Sequence, residues 1–153
     1  MLDLIDRKIL RILSQDGAAT ATQIGAAVGL SIPAVNKRIQ KLRQGGVIRN
    51  FTLLTDRDKV GKPILAYVLM VVASADSERF LSYVDRESDI LECHAVSGEY
   101  DYLVKVCAED VQALENKLLC LKKQKGVIKS HTMLCLMEHK SQYTILPDIP
   151  EDE

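Results

Sequence analysis

The sequence predicts an α+β chain of two modules, an N-terminal winged helix-turn-helix followed by a ferredoxin-like β-α-β-β-α-β domain. Three observations carry this. Apolar residues recur every three or four positions as far as Gln44, then give way to short β-prone runs from Val47. The charge divides with them: residues 1–50 hold eight basic and three acidic side chains, net +5, and residues 51–153 hold twelve and eighteen, net −6. The glycines fall where helices should end, at Gly17, Gly29, Gly45 and Gly46.

The 153 residues allow at most two small domains. With 5% aromatic residues and no Trp, their cores must be built from Ile, Leu, Val and Ala. In the first module Leu2, Ile5, Ile9, Ile12 and Leu13 share one side of a helix over residues 3–14. A short helix over residues 22–28 carries Ile24, Ala27 and Val28, with Gly25 and Ala26 permitting close approach by a neighbour. One residue later Ser31 is placed to cap a third helix, in which Pro33 is tolerated because first-turn amides lack partners anyway. Its core seam is Ile32, Val35, Ile39 and Leu42; Pro33, Ala34, Lys37, Lys41 and Gln44 lie opposite.

Residues 1–50 therefore form the helical module, and residues 51–61 a wing strand and hinge linker, bending near Gly61. Residues 62–146 form the second domain, with strands over 64–74, 90–97, 102–108 and 127–138, helices over 76–86 and 109–122, and a last short strand over 142–146. Residues 147–153 are an acidic tail expected to be mobile.

Two helices joined by a glycine turn, the second bearing cations opposite its core seam, make the arrangement that lays a helix in the major groove of double-stranded DNA. Lys37 is the candidate for base edges. Arg38, Lys41 and Arg43 are candidates for phosphates, Ser31 and the amides behind it for a phosphate at the helix start, and Arg49 on the wing strand for adjacent backbone. The plainer alternative is a solvated helix face.

Other classes are disfavoured. Met1-Leu2-Asp3 lacks a basic start, and the longest apolar run, residues 64–73, is half of a membrane span, so a cytoplasmic protein without membrane association is expected. Cys93, Cys107, Cys120 and Cys135 form no C-x-x-C pair and read as buried reduced thiols. His131, Met133, Cys135, Met137 and His139 alternate along the last long strand, a stripe that suits packing better than metal, because same-face neighbours on a strand are ~6.6 Å apart. No cofactor is called for. No catalytic constellation of His with Ser or Cys stands out, so an enzyme is not expected.

Leu2-Asp3-x-x-Asp6-x-x-Ile9-Leu10, Val28-Gly29-Leu30-Ser31, Arg38-x-x-x-Leu42 and Gly46-Val47-Ile48, followed by Gly98-Glu99-Tyr100-Asp101-Tyr102, Gly126-Val127, Thr132 and Lys140, resemble the Lrp/AsnC (feast/famine) family of transcription regulators across roughly residues 2–146. The resemblance implies a winged helix-turn-helix joined to an effector-binding domain that dimerises sheet against sheet. It also implies rings of dimers, with small molecules, usually amino acids, bound between them.

Residues 97–101 join two strands by a polar loop too long for the tightest hairpin. An amino acid bound there needs an anion for its ammonium and donors for its carboxylate. Asp101 is the candidate for the first; the amides near Gly98 and the Thr132 hydroxyl, at the family's pocket positions, are candidates for the second. Glu99 and Tyr100 are either pocket wall or exposed loop, and an ordinary hairpin loop remains the alternative. The first strand of the second domain is apolar on both faces, which predicts a homodimer or a higher even oligomer through residues 62–146. The function expected is a sequence-specific DNA-binding transcriptional regulator whose binding or assembly responds to a small effector, an amino acid by resemblance. Two alternatives stay open: an architectural DNA-wrapping protein without effector, and a siroheme-decarboxylase-like enzyme with the same two-domain layout.

Overall fold

Asp3 starts the first helix. In the computed structural model, which describes residues 2–148, its carboxylate accepts from the Asp6 amide at 2.8 Å and Asp6 accepts back from the Asp3 amide at 3.4 Å. This reciprocal cap opens α1 (Leu4–Gln15). Thr20 and Gln23 repeat the device at α2 (Ala21–Val28), starting that helix one residue earlier than its apolar spacing implies. Gly29 then turns left-handed at φ 71° and α3 (Ile32–Gln44) follows. Ser31 occupies the cap position of α3 in extended conformation, but its hydroxyl makes no cap hydrogen bond; Pro33 sits in the first turn as expected.

The turn between α2 and α3 is tight because residue 25 is glycine. A β-carbon there would stand 2.5 Å from the Leu30 carbonyl oxygen, and the Leu30 amide donates back to Gly25. Ile9, Ile24, Val35 and Leu42 form the buried core of the three helices. Ile32, expected in that seam, is instead 48% exposed. It is the first residue of α3, and helical side chains lean toward the N-terminus, so Ile32 projects off the end of the packed surface.

Arg38 ties this core together from its edge. One guanidinium nitrogen lies 2.6 Å from Asp3 Oδ2 and 2.8 Å from Asp6 Oδ1, joining α3 to the cap of α1. The Asp6 side chain is only 7% exposed, so its charge is compensated by Arg38 and by the capping hydrogen bond.

No strand forms over residues 47–54, where a wing strand was expected. The Val47 and Ile48 amides fold back onto the Leu42 carbonyl, and beyond them the chain has no paired edge, which a strand requires. Residues 142–146 likewise form no strand; the Gln142 side chain bonds the Thr144 carbonyl locally. The chain divides into two units, residues 2–54 with 140–148, and residues 55–139. In the first, the Arg7 guanidinium donates to the Asp148 carbonyl. The rest of the acidic tail, residues 149–153, lies outside the described residues.

The second unit runs β1 (Ile64–Val72), a single 3-10 turn (Ser74–Asp76), α4 (Ser77–Val84), β2 (Ile90–Ala95), β3 (Tyr102–Ala108), α5 (Val111–Lys122) and β4 (Val127–Leu134). The strands are antiparallel in the order β2-β3-β1-β4, the ferredoxin-like arrangement, with β1 hydrogen-bonded on both edges. Ala66, Val68, Met70 and Val72 pack with Val104 and Val106 against Phe80 and Val84 of α4 and Leu114 and Leu121 of α5. On the other face of β1 Leu65 is buried, but Tyr67, Leu69 and Val71 are only half-buried within one chain.

β4 ends at Leu134 rather than continuing to residue 138. Leu134 pairs with Ala66 and the Cys135 amide reaches the Leu65 carbonyl, after which β1 offers no further partner. The alternating stripe is thereby cut: His131 and Met133 lie on the strand, while Cys135, Met137 and His139 lie on irregular chain. No group of three metal-ligating residues occurs among the described residues. Of the four free thiols only Cys107 is buried; Cys93 and Cys135 are intermediate and Cys120 is exposed, which corrects the expectation of four buried thiols.

The cap of α1 should be visible in acid. The Asp6 amide, and then the Arg38 guanidinium, hold the Asp3 carboxyl below its ordinary value of 3.8. A carboxyl whose pKa is depressed by folding stabilises the folded state above its unfolded pKa, and that contribution is lost as pH falls through the lowered value. Wild type should melt higher than Asp3→Asn at pH 6, and the gap should shrink as pH falls below about 4. A gap of constant size across that range would remove the ionised cap from the account.

Candidate DNA-binding face and effector loop

The face of α3 turned away from the core presents Pro33 and Ala34 in its first turn and Lys37 and Lys41 one and two turns on. Lys37, Lys41 and Arg43 are exposed and make no ion pair among the described residues. They are free cations on a helix whose opposite side is fixed by Val35 and Leu42. Ser31 is exposed, and its hydroxyl makes no cap hydrogen bond to the first turn of α3. Arg49 is exposed on irregular chain just beyond α3. Arg38 differs from its neighbours, because both carboxylates of the α1 cap hold its guanidinium within the module.

The loop after β2 is fastened to β1. The Asp101 amide donates to the Met70 carbonyl, the Asp101 carboxylate accepts from the Val72 amide at 2.9 Å, and the Val96 amide closes the hairpin on the Asp101 carbonyl. One carboxylate oxygen thus fixes the loop and the other has no hydrogen bond among the described residues, on a residue that is exposed. Gly98 has φ 116°, a conformation that side chains rarely adopt, and a β-carbon there would meet nothing in its own chain. Backbone geometry alone demands glycine at this position.

Lys129 at the start of β4 completes the loop's surroundings. It pairs with Glu99 at 2.5 Å and stands 4.9 Å from the centre of the Tyr100 ring. Glu99 raises the Lys129 pKa, and Lys129 in turn depresses that of Glu99. Sequence reasoning missed Lys129, because its side chain reaches the loop from a strand thirty residues away.

Thr132 is not beside the loop. It is opposite Val68 on β4, across β1 from β3 and so two strand spacings of ~4.8 Å away, whereas Asp101 attaches to β1 at Met70 and Val72. A single chain brings Gly98, Glu99, Tyr100 and Asp101 together and leaves Thr132 apart.

Elsewhere on the sheet, Lys105 is held at 2.9 Å by Glu92, which also meets His94 at 3.1 Å. Lys105, and then His94, lower the Glu92 pKa. His94 is therefore engaged with a carboxylate and not with a thiol or hydroxyl. No helix among the described residues is long and apolar enough to cross a membrane.

Comparison with known proteins agrees with both modules. Residues 2–49 match the winged helix-turn-helix DNA-binding family and residues 65–145 the Lrp/AsnC ligand binding domain. The chain is 36% identical over 146 residues to the HTH-type transcriptional regulator FL11 of Pyrococcus horikoshii, covering 95% of this chain and 96% of that protein. It is 34% identical to the leucine-responsive regulatory protein of Klebsiella pneumoniae, covering 91% and 87%. Among solved structures, the transcriptional regulator NMB0573 of Neisseria meningitidis in complex with L-Met superposes with a TM-score of 0.91 at 27% identity, covering 95% and 96%. LrpC of Bacillus subtilis superposes with a TM-score of 0.85 at 30% identity, covering 92% and 99%. The chain belongs to the Lrp/AsnC family of DNA-binding transcriptional regulators.

Proposed function

We propose that this regulator reads double-stranded DNA through α3 and that a small effector, an amino acid, bound at the loop of residues 98–101, alters its DNA binding or assembly. The observation that carries the first half is the row of unpaired cations, Lys37, Lys41 and Arg43, on a helix whose other side is locked into the core. Lys37 lies toward base edges, with Pro33 and Ala34 alongside as close-approach surface. Lys41, Arg43, Arg49, Ser31 and the first-turn amides serve phosphates. Arg38, occupied by Asp3 and Asp6, orients α3, and its charge is offset locally by theirs.

The second half is supported by the free oxygen of Asp101, which suits an ammonium group, and by the complex of the Neisseria relative with L-Met. Thr132 joins Gly98, Glu99, Tyr100 and Asp101 in this reading only where copies of the chain meet. The half-buried apolar face of Tyr67, Leu69 and Val71, together with exposed Phe51, Leu53 and Leu136, favours a homodimer or a higher even oligomer. The family's role as transcription regulators supports action in the cytoplasm, without an enzymatic step of its own.

Lys41→Ala should weaken binding to all sequences and reduce the slope of log affinity against log salt by about 1, whereas Lys37→Ala should also change sequence preference. Unchanged operator affinity in the double variant, measured by fluorescence anisotropy, would remove α3 as the reading element.

Asp101→Asn keeps a carbonyl oxygen for the Val72 amide, so the loop should survive while the ammonium loses its counter-ion. Calorimetry should then show at least tenfold weaker amino-acid binding, about 1.4 kcal/mol, with operator affinity retained in the absence of effector. Equal affinities would place the effector elsewhere.

A further inference from the structure

A groove of about 490 Å³ runs along α5, walled by Tyr83 and Glu87 from the end of α4 and the turn after it, and by Ala113, Lys117, Cys120 and Lys123. That volume falls within the range of small-molecule sites, about 300–1,000 Å³, and the lining mixes the apolar surface of Tyr83, Ala113 and Cys120 with polar groups, among them Asn116 and Gln124. Lys123 forms no ion pair among the described residues. Lys117, part of the groove wall, meets Asp89 Oδ2 at 2.5 Å. The other Asp89 oxygen accepts from Lys62, the residue that ends the linker just before Pro63 and β1, and Lys62 also lies 3.7 Å from Glu109. The groove wall and the linker thus share one carboxylate.

We propose that this groove is a second ligand site, distinct from the loop of residues 98–101, for a small carboxylate with an apolar body, and that Lys117, Asp89 and Lys62 report its occupancy to the linker. The ligand's carboxylate supplies the counter-ion that Lys123 lacks, and its body covers Ala113, Cys120 and the ring of Tyr83. Drawing Lys117 toward the ligand leaves Lys62 as the one cation on the Asp89 carboxylate, beside the Cys107 thiol. This tightens the turn in which the Val60, Gly61 and Lys62 amides donate to Asp56, Asp58 and Arg57. The proposal stands apart from the effector loop, so either can fail without the other.

The test uses the full chain, with the twenty L-amino acids and the 2-oxo acids of leucine and phenylalanine as probes. At 10 mM at least one of these should raise the melting temperature of the Asp101→Asn chain, in which the loop site is weakened, because binding to the folded state stabilises it. That shift should vanish in Cys120→Trp, which fills the groove from an exposed position, and the affinity should drop at least tenfold in Lys123→Gln, a surface change that leaves the core untouched. Both substitutions are made in the Asp101→Asn background, so that the loop site does not contribute. In the saturated protein, hydrogen exchange at the Val60, Gly61 and Lys62 amides should slow at least threefold. The site is overturned if no probe shifts the melting temperature of the Asp101→Asn chain, or if binding in that background survives Lys123→Gln at full strength. Unaltered exchange at residues 60–62 in the saturated protein overturns the connection to the linker.

Discussion

A single guanidinium shared by two carboxylates sets the geometry on which the DNA-binding module depends. Arg38 sits near the middle of α3, and Asp3 and Asp6 belong to the cap that begins α1, so one contact fixes the angle between the helix that presents cations and the helix that supports it. Asp6 is nearly buried, and a charge there without Arg38 would cost far more than the pair returns. The contact therefore specifies one arrangement more than it adds stability. It also divides labour along α3: one cation is used internally, and Lys37, Lys41 and Arg43 remain available to a polyanion.

The second module is organised by β1, which is hydrogen-bonded along both edges and buries every second side chain under α4 and α5. Its two ends carry different fastenings. At the C-terminal end the Val72 amide and Met70 carbonyl hold Asp101 and so fix the polar loop. At the N-terminal end, the Lys62 and Asp89 pair holds the linker to the domain. A strand fixed in this way can couple what happens at its ends, because a packed core transmits displacement and resists deformation.

Where function could be read in the sequence, the reading rested on local signals. Helix spacing, the glycine turn at Gly29 and the order of strands and helices are written into consecutive residues, and all three were legible. So was the exposure of Lys37 and Lys41, since helical periodicity places them opposite Val35 and Leu42. What escaped depends on residues distant in the chain. Arg38 looked like its cationic neighbours, because nothing nearby in sequence reveals carboxylates 32 and 35 positions away. Lys129 reaches Glu99 across the sheet, β4 stops because β1 runs out of partners, and the β-prone residues after Gly46 stay unpaired because propensity does not supply a second edge. Thr132 was grouped with the loop by resemblance, and strand register separates them within one chain.

Coupling between the two modules is the central claim, and operator affinity measured with and without a bound amino acid tests it most directly. A fluorescence anisotropy titration would use an operator fragment at fixed salt, first on the free protein and then with an amino acid that raises its melting temperature. The account requires the dissociation constant, or the number of chains bound per fragment, to change by several-fold when the effector saturates the protein. Superimposable titrations, with the amino acid demonstrably bound, would contradict it and leave a DNA-binding protein whose second domain does not regulate the first.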